Sequence, residues 1–432
     1  MNPVDSMQLI PRHIRPAPSP LGLYLHVGRN DHRELLDLLA RGDAHFFGMV
    51  FDATAVKRHQ ELRDRALSAR LDTILDPRTQ AAATIGGYGA GIASLPWGLD
   101  RPNCLEDFKD AAGRRRIAAM GDFVIGHGFT QMLAPTHLIN GSADPWFAVD
   151  CDSTRRLREH LDLKGANQIQ LLYKLAIPYA VLRDENEVEL LIHGLSEVPA
   201  DAIWLHVEGL GSGSTANGVK NYIRGAKLFE SLGKPVIADG TGGLAGLSLL
   251  AFGATGGIAH GVTFGERVDH SSWRRPRDHR PFGRSRRVYV PEVDLLMEPG
   301  DAESLLRSSS RARALLGCHD TRCCPRGIQD MIESPARHFL IQRMKQLSLL
   351  SRLHQPIRAA RFVDDMVRPA SDLLVQVAGW QLKNEPLIET VRKQRRRLDA
   401  MRTALAAEVS NMRHGVTSLP KTRVAREIRL HL

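Results

Sequence analysis

The amino-acid sequence predicts an α/β protein built on a (β/α)8 TIM-like barrel with a C-terminal extension. Before residue 265, eight short runs rich in β-branched or aromatic residues recur, and amphipathic stretches of helical length separate them. Regular alternation of strand and helix implies a parallel sheet, and eight cycles close most naturally as a barrel. A doubly wound open sheet is the alternative, but no Gly-rich dinucleotide fingerprint follows the first run.

Each predicted strand ends at or near a polar residue or a glycine. The eight strands are 23–28, 47–53, 72–77, 131–139, 169–177, 202–209, 235–240 and 256–261. The first helix begins at Asn30 or Asp31 and ends at Gly42, while another has Asp144 as its N-cap and Pro145 in its first turn. About fifty residues, 78–130, separate strands three and four, and their length and aromatic content predict an ordered lid.

The composition indicates a protein without membrane contact and with a basic C-terminal half. Lys and Arg outnumber Asp and Glu by 58 to 48, and much of the excess follows residue 266. This charge suggests a phosphate-rich or acidic partner, although a solvated face is the plainer interpretation. The first residues have no apolar run of signal-peptide length, so we expect a cytoplasmic protein.

The segment "GCHDTRCCPRG" at 317–327 holds three of the five cysteines. Together with His338, Cys318, Cys323 and Cys324 match a tetrahedral Cys3His site for structural zinc in ligand type and number. The adjacent cysteines bind one ion only if a tight turn folds them back. Inert buried thiols, a redox pair, and replacement of one ligand by His319 or Asp320 are the alternatives.

Polar residues at the predicted strand ends form the candidate site, because a barrel of this kind builds its site where strands end. They are His26, Asp52, Asp76, Thr136, His137, Tyr173, Lys174, His206, Glu208, Asp239 and His260. Asp52 and Asp239 could instead cap the helices that follow them. Glu208 could accept a proton, bind a base edge or pair with Lys174. Glycine loops after strands six and seven and before strand eight could hold a phosphate, or could simply make turns.

A barrel with a Cys3His segment after its eighth strand resembles the tRNA-guanine transglycosylase superfamily, over roughly residues 21–350. Members exchange guanine for a 7-deazaguanine base through an aspartate nucleophile and carry structural zinc. The resemblance implies that Asp76 and Gln80 in "LDPRTQ" contact the base, and that Gly209 and Leu210 in "EGLGSG" do so as well. A similar "GGLAG" at 242–246 follows strand seven instead of strand six. The pattern is more similar to an outlying group that acts on DNA or accompanies bacterial defence genes.

The residues expected to carry function follow from this resemblance and from the strand ends. Asp76, Glu208 and Asp269 are the catalytic candidates, with Asp269 as nucleophile because strand eight offers no clear aspartate. The substrate-binding candidates are Gln80, His137, Lys174, Gly209, Leu210, Asp239 and His260. The substrate class is a purine or deazapurine base, in tRNA or DNA bound through the basic segment 267–290.

Four parts of the chain are predicted: an N-terminal arm (1–20), the barrel (21–265), a basic and zinc-binding subdomain (266–380), and a C-terminal helix and tail (381–432). Apolar residues at helical intervals between 391 and 412 indicate a helix that packs on the barrel or on a partner chain, including a second copy in a homodimer. Two other functions are open. The barrel could bind a nucleobase or nucleic acid without exchange, or it could be an unrelated phosphate-binding enzyme.

Overall fold

Eight parallel strands close into a barrel in the computed structural model, which describes residues 21–276, 286–382 and 384–414. The strands are β1 Gly22–His26, β2 Gly48–Asp52, β3 Asp72–Asp76, β4 Gln131–Leu133, β5 Gln170–Pro178, β6 Ala202–Glu208, β7 Val236–Asp239 and β8 Gly257–Gly261. Each pairs with the next, and β8 returns to β1 with His260 opposite Leu25. The predicted barrel is confirmed, and the open-sheet alternative is wrong.

Helices surround the strands, as the alternation of strand and helix predicted. They are α1 His32–Arg41, α2 Gln60–Ser68, α3 Thr79–Ala82, α4 Ala90–Ala93, α5 Asp110–Gly126, α6 Pro145–Leu163, α7 Tyr179–Arg183, α8 Glu185–Leu195, α9 Ala216–Leu228 and α10 Gly243–Ala251. Asp144 caps α6 by accepting the Trp146 N–H, with Pro145 as first helical residue. The carboxylate of Asp31 does not cap α1, because it accepts the Gly28 N–H at 3.0 Å instead.

Two apolar clusters hold the barrel together. The inner cluster draws almost entirely on the strands, and its largest members are Tyr24 and Trp204, whose ring centroids lie 5.3 Å apart. Alternate strand residues point outward and join a larger core with the helices. The inner cluster fills the barrel, so that polar chemistry is confined to its ends.

The predicted insertion after β3 is an ordered segment that contains α3, α4 and α5. Trp97 is buried in it, and its indole N–H donates to the carbonyl of Pro77 at 3.1 Å. The Arg116 guanidinium on α5 donates to the carbonyl of Trp97 at 2.8 Å. These two bonds tie the long connection to the end of β3.

Within residues 286–382 and 384–414, the chain adds an antiparallel hairpin and seven α-helices that share the outer core with the barrel. They are β9 Val288–Val290, β10 Leu295–Met297, α11 Pro299–Leu306, α12 Ser310–Leu316, α13 Ile328–Glu333, α14 Pro335–Ser351, α15 Gln355–Phe362, α16 Arg368–Ala378 and α17 Glu385–His414. Helix α17 packs on the barrel, which is one of the two arrangements predicted for it. Arg397 donates to the carbonyl of Ser212 at 2.6 Å, and Glu408 pairs with Arg224 at 2.7 Å.

Across the described part of the chain, every helix is too short or too polar to span a bilayer. The predicted N-terminal arm (1–20) and the end of the predicted tail (415–432) lie outside the described residues.

Candidate functional site

A cavity of about 470 Å³ opens at the carboxyl ends of the strands. Five of the predicted strand-end residues line it, one each from β1, β3, β5, β6 and β7: His26, Asp76, Lys174, His206 and Asp239. The loop after β8 adds Asp269, His270 and Trp273. The structure therefore brings four of the predicted catalytic and binding residues, Asp76, Lys174, Asp239 and Asp269, into one cavity.

Asp239 is the centre of a buried polar cluster in this cavity, which we call the mouth cluster: His26, Lys174, His206, Asp239 and His270. One oxygen of the Asp239 carboxylate lies 2.6 Å from His26 Nε2. The other lies 3.0 Å from Lys174 Nζ and 2.9 Å from His206 Nδ1. Asp239 caps no helix, because both of its oxygens bind side chains of other strands.

The electrostatics of the mouth cluster keep the carboxylate ionised. Burial opposes ionisation, yet the charge of Lys174 and the rings of His26 and His206 hold the pKa of Asp239 well below its ordinary value. Burial and the Lys174 charge lower the pKa of His206. An ionised carboxylate, an ammonium and a neutral imidazole thus meet around the buried Asp239.

A second histidine extends the cluster toward the cavity. His270 Nε2 lies 3.0 Å from His206 Nε2, and the His270 ring is 4.6 Å from the indole of Trp273. Burial is the main reason that the pKa of His270 is lowered to about 3, and the neighbouring His206 ring and the Lys174 charge act in the same direction. His270 is therefore a neutral ring beside an aromatic face.

Asp76 lies at the end of β3 and shapes the loop that follows. Its Oδ1 accepts the Arg78 N–H at 2.8 Å, and Arg78 adopts a left-handed backbone with φ of 64°. The Arg78 guanidinium lies 3.3 Å from the Asp52 carboxylate and 5.6 Å from the Trp273 ring centroid. Asp52 also caps the turn after β2 by accepting the Thr54 N–H, which is the structural role considered for it.

Glu208 and Asp269 have different surroundings from those expected. Glu208 pairs with Arg274 at 2.6 Å and accepts the His270 N–H at 3.3 Å, so the pairing with Lys174 considered above is wrong. Glu208 holds the loop that carries His270. Asp269 is exposed, and hydrogen bonds from Ser271 hold the pKa of its carboxyl below the ordinary value.

Five of the seven predicted binding residues lie outside the lining of this cavity, and three of them, Gln80, His137 and His260, are buried elsewhere in the barrel. Gln80 is buried and donates to Thr136 Oγ1 at 3.3 Å. His137 is buried against Asp150, with its Nδ1 2.6 Å from Oδ1, and is stacked on Trp146. His260 packs on Phe339, on the outer side of β8. Burial lowers the pKa of His260 to about 4.

The glycine loop after β6 binds the protein's own backbone. Gly209 N–H donates to the carbonyl of Val268, and Val268 N–H donates to that of Leu210, both at 3.0 Å. Ser212 N–H donates to the carbonyl of Glu266 at 2.7 Å. Gly209 and Leu210 therefore position the loop that bears Asp269 and His270.

The other glycine loops are poorly placed for a phosphate. The N-terminus of α10 already binds two carboxylates, since Gly243 N–H donates to Glu266 and Leu244 N–H donates to Asp294, at 3.2 and 3.1 Å. The glycines at 253–257 precede β8 and lie at the end of the barrel opposite the cavity. Two of the three glycine loops considered for a phosphate, those after β7 and before β8, therefore give no support to phosphate binding.

The cysteine segment forms a second buried group, which we call the thiol cluster: Cys318, Cys323, Cys324 and His338. Its four ligand atoms all lie within 4.8 Å of one another. The tight turn required by the adjacent cysteines is present, because both of their N–H groups donate to the carbonyl of Asp320, at 3.2 and 2.8 Å. The alternative ligands are engaged elsewhere, His319 near the carbonyl of Ala314 and Asp320 with Arg322.

The geometry of the thiol cluster fits a metal ion. A tetrahedral ion with sulfur ligands at about 2.3 Å and nitrogen at about 2.0 Å separates its ligands by about 3.5–3.8 Å. Here Cys318 Sγ lies 3.6 Å from Cys323 Sγ, and His338 Nδ1 lies 3.7 and 3.3 Å from Cys323 and Cys324 Sγ. His338 Nε2 donates to the carbonyl of Tyr289 at 2.9 Å, which leaves Nδ1 as the ligand atom.

Part of the predicted basic segment can be placed. Trp273 lines the cavity and Arg274 pairs with Glu208, whereas residues 277–285, including Phe282, lie outside the described residues. Arg29, Arg267 and Arg286 also line the cavity. Arg286 donates to the carbonyl of Asn30 at 2.7 Å.

His270 is the site residue that sequence reasoning missed. It follows Asp269 in a loop of irregular sequence, and no strand pattern marks it. Its adjacency to a predicted nucleophile and its position three residues before Trp273 were the available signals.

Comparisons with known proteins do not assign this chain to a family or a function. No model of a protein family and no curated protein matches the chain. A GH26 beta-mannanase from Bacteroides ovatus is 13% identical, covering 61% of this chain and 85% of its own, with a TM-score of 0.36. A type I 3-dehydroquinate dehydratase from Clostridium difficile is 9% identical, covering 59% and 90%, with a TM-score of 0.36. The carboxyl transferase domain of Rhizobium etli pyruvate carboxylase is 10% identical, covering 90% and 62%, with a TM-score of 0.38.

Proposed function

We propose that this protein is a barrel enzyme that binds a guanine or 7-deazaguanine base and exchanges it in a nucleic acid. One observation carries the proposal: Asp76, Asp269 and the mouth cluster line the same cavity of about 470 Å³. That volume falls in the range of small-molecule sites, about 300–1,000 Å³. Trp273 and the neutral ring of His270 offer flat faces against which a purine can stack.

The carboxylates have separate roles in this proposal. Asp76 accepts hydrogen bonds from the N–H groups at the edge of the base, since an ionised carboxylate is an acceptor only. Asp269 is exposed and ionised, and it attacks or stabilises the sugar carbon as the bond to the outgoing base breaks. Asp239 is not the nucleophile, because both of its oxygens already bind other side chains.

The positive charge around the cavity favours a polyanionic substrate. Arg29, Arg267 and Arg286 line it, and Arg392, Lys393, Arg395 and Arg396 are exposed on α17. The Arg397 contact with Ser212 places this helix beside the loop after β6. Clustered cations of this kind attract the phosphate backbone of tRNA or DNA, and their contribution weakens as salt is raised.

The thiol cluster is proposed to hold one structural zinc ion. Its three sulfurs and the Nδ1 of His338 supply four soft or borderline ligands, and structural zinc sites have this closed tetrahedral set. The ion would tie the turn at 318–324 to α14. Because α14 also carries Arg343, which binds Glu266 at 2.7 Å, the cluster supports the start of the loop that leads to Asp269.

Base exchange is tested by incubating the purified protein with radiolabelled guanine and either unmodified tRNA or duplex DNA. We expect label to enter one polymer, and we expect Asp269→Asn to lower the rate by at least about 10³-fold and Asp76→Asn by at least about 10²-fold. Asp372→Asn, which alters an exposed aspartate on α16 paired with Arg402, is the matched control.

Two outcomes would contradict the proposal in different ways. Binding of guanine without exchange, unchanged in Asp269→Asn, would favour a nucleobase-binding protein. Absence of both binding and exchange with tRNA and with DNA would remove the nucleobase from consideration.

A further inference from the structure

The mouth cluster contains an unbroken line of hydrogen-bonding groups from a buried carboxylate to the cavity. Asp239 Oδ2 lies 2.9 Å from His206 Nδ1, and His206 Nε2 lies 3.0 Å from His270 Nε2. His270 lines the cavity beside Trp273. We propose that His270 is the group that accepts and returns a proton during the reaction in this cavity, with His206 and Asp239 as a relay behind it. The identity of the substrate proton rests on the proposed function.

The chemistry of the partners fixes the direction of each bond. The Asp239 carboxylate only accepts, so His206 must carry its proton on Nδ1 and donate it. The neutral His206 ring then has a lone pair on Nε2, to which His270 Nε2–H donates. The neutral His270 ring therefore has its lone pair on Nδ1. A ring nitrogen with a free lone pair is what a general base requires.

The relay lets a weakly basic ring accept a proton without storing the charge at the cavity. As His270 Nδ1 binds a proton from a substrate N–H or O–H, the bond between that proton and the substrate breaks. The proton on His270 Nε2 passes to His206 Nε2. The result is a neutral His270 with its proton on Nδ1, and an imidazolium at His206 that contacts the Asp239 carboxylate. The reverse transfer delivers the proton to a leaving base nitrogen.

The groups around the line determine how readily the proton returns. Lys174 binds the same oxygen of Asp239 as His206 does, and His26 binds the other oxygen. Arg274 and Glu208 form an ion pair next to the His270 backbone, and Asp269 precedes it. Lys174 opposes a second positive charge on His206, so the transferred proton is released again rather than retained.

The first test does not depend on activity. NMR of the full-length protein labelled with ¹⁵N-histidine distinguishes protonated from unprotonated ring nitrogens at pH 7. Among 18 histidines, the signals of interest are identified as those lost in His206→Gln and in His270→Gln. We expect neutral rings with the proton on Nδ1 of His206 and on Nε2 of His270. A charged His270 in the wild-type protein, or one protonated on Nδ1, would overturn the relay.

The second test measures base exchange. We expect His270→Gln to lower kcat by about 10²- to 10⁴-fold with a smaller change in KM, as for loss of a general acid or base. His206→Gln should lower kcat less and shift its pH profile, because it acts only through His270. His193→Gln, on the exposed face of α8, is the control. Exchange that survives His270→Gln would overturn this inference and leave the proposed function intact, whereas an inactive wild type with the expected tautomers would contradict only the proposed function.

Discussion

The mouth cluster and the thiol cluster are both buried and polar, but they balance their charge differently. In the mouth cluster, the Asp239 carboxylate is contacted by Lys174, His26 and His206 from three other strands. In the thiol cluster, the Gln342 amide and the N–H and carbonyl of Asp320 contact sulfur from outside the cluster, and His338 contacts it from within. In the mouth cluster, side chains of the protein itself balance the carboxylate, and the cluster can act on a ligand. The thiol cluster gathers four ligand atoms around a point that a cation would stabilise.

Removal of the central anion should have the largest effect on stability. Asp239→Asn leaves Lys174 buried without its carboxylate, and we expect the free energy of unfolding to fall by about 3–5 kcal/mol, as when one partner of a buried ion pair is removed. Urea unfolding of the variant measures the loss. Asp372→Asn should change it by less than about 0.5 kcal/mol. Equal, small effects of the two changes would show that Asp239 is not the anchor of the cluster.

Loss of the proposed ion should be the next largest effect. A ligand present at about 100 times its dissociation constant stabilises the folded state by about 2.7 kcal/mol, so chelation should cost at least that amount. Metal analysis should find one zinc per chain in the wild type and less in Cys323→Ser. Cys104→Ser, which removes an exposed thiol outside the cluster, should keep the full zinc content. A wild-type protein purified without zinc and unaffected by chelator would favour inert thiols.

Buried neutral histidines predict a dependence of stability on pH. The folded pKa of His260 is lowered to about 4, below an unfolded value of about 6.5, so between these values the unfolded chain binds the extra proton. Stability should therefore fall as the pH drops, by about 1 kcal/mol between pH 6.5 and 5.5 from this residue. His260→Gln should remove that share of the dependence. His193→Gln should retain it, and the same slope in both variants would exclude His260 as its source.

The support around the sulfurs should affect the affinity for zinc instead of the stability of the zinc-loaded fold. Gln342 Nε2 lies 3.5 Å from the Sγ atoms of Cys318 and Cys323. Gln342→Leu should weaken zinc binding by about 10- to 100-fold while the zinc-loaded fold persists, as for other groups that contact metal ligands. Competition with a zinc chelator measures the affinity. Gln376→Leu, at an exposed position on α16, should leave it unchanged.

Local patterns in the sequence predicted the elements of both clusters. Strand ends, helix caps and cysteine spacings depend on short stretches of sequence. The eight strands, the Asp144 cap and the thiol ligand set could therefore be predicted from neighbouring residues. The sequence did not show which of the polar residues at the strand ends would line the cavity. His26 and His137 occupy similar positions in the sequence pattern, yet only His26 of the two lines the cavity in the described structure. The twist and stagger of the strands decide which side a given residue faces.

The sequence alone determined the barrel, the strand-end residues available at its mouth and the types of ligand in the cysteine segment, because hydrophobic period and residue chemistry are local properties. The tertiary structure decided which partners meet. It paired Lys174 with Asp239 instead of Glu208, and it brought His270 to His206 across 64 residues by pairing the loops after β6 and β8. Contacts between distant strands depend on closure of the whole sheet, and no short stretch of sequence contains that information.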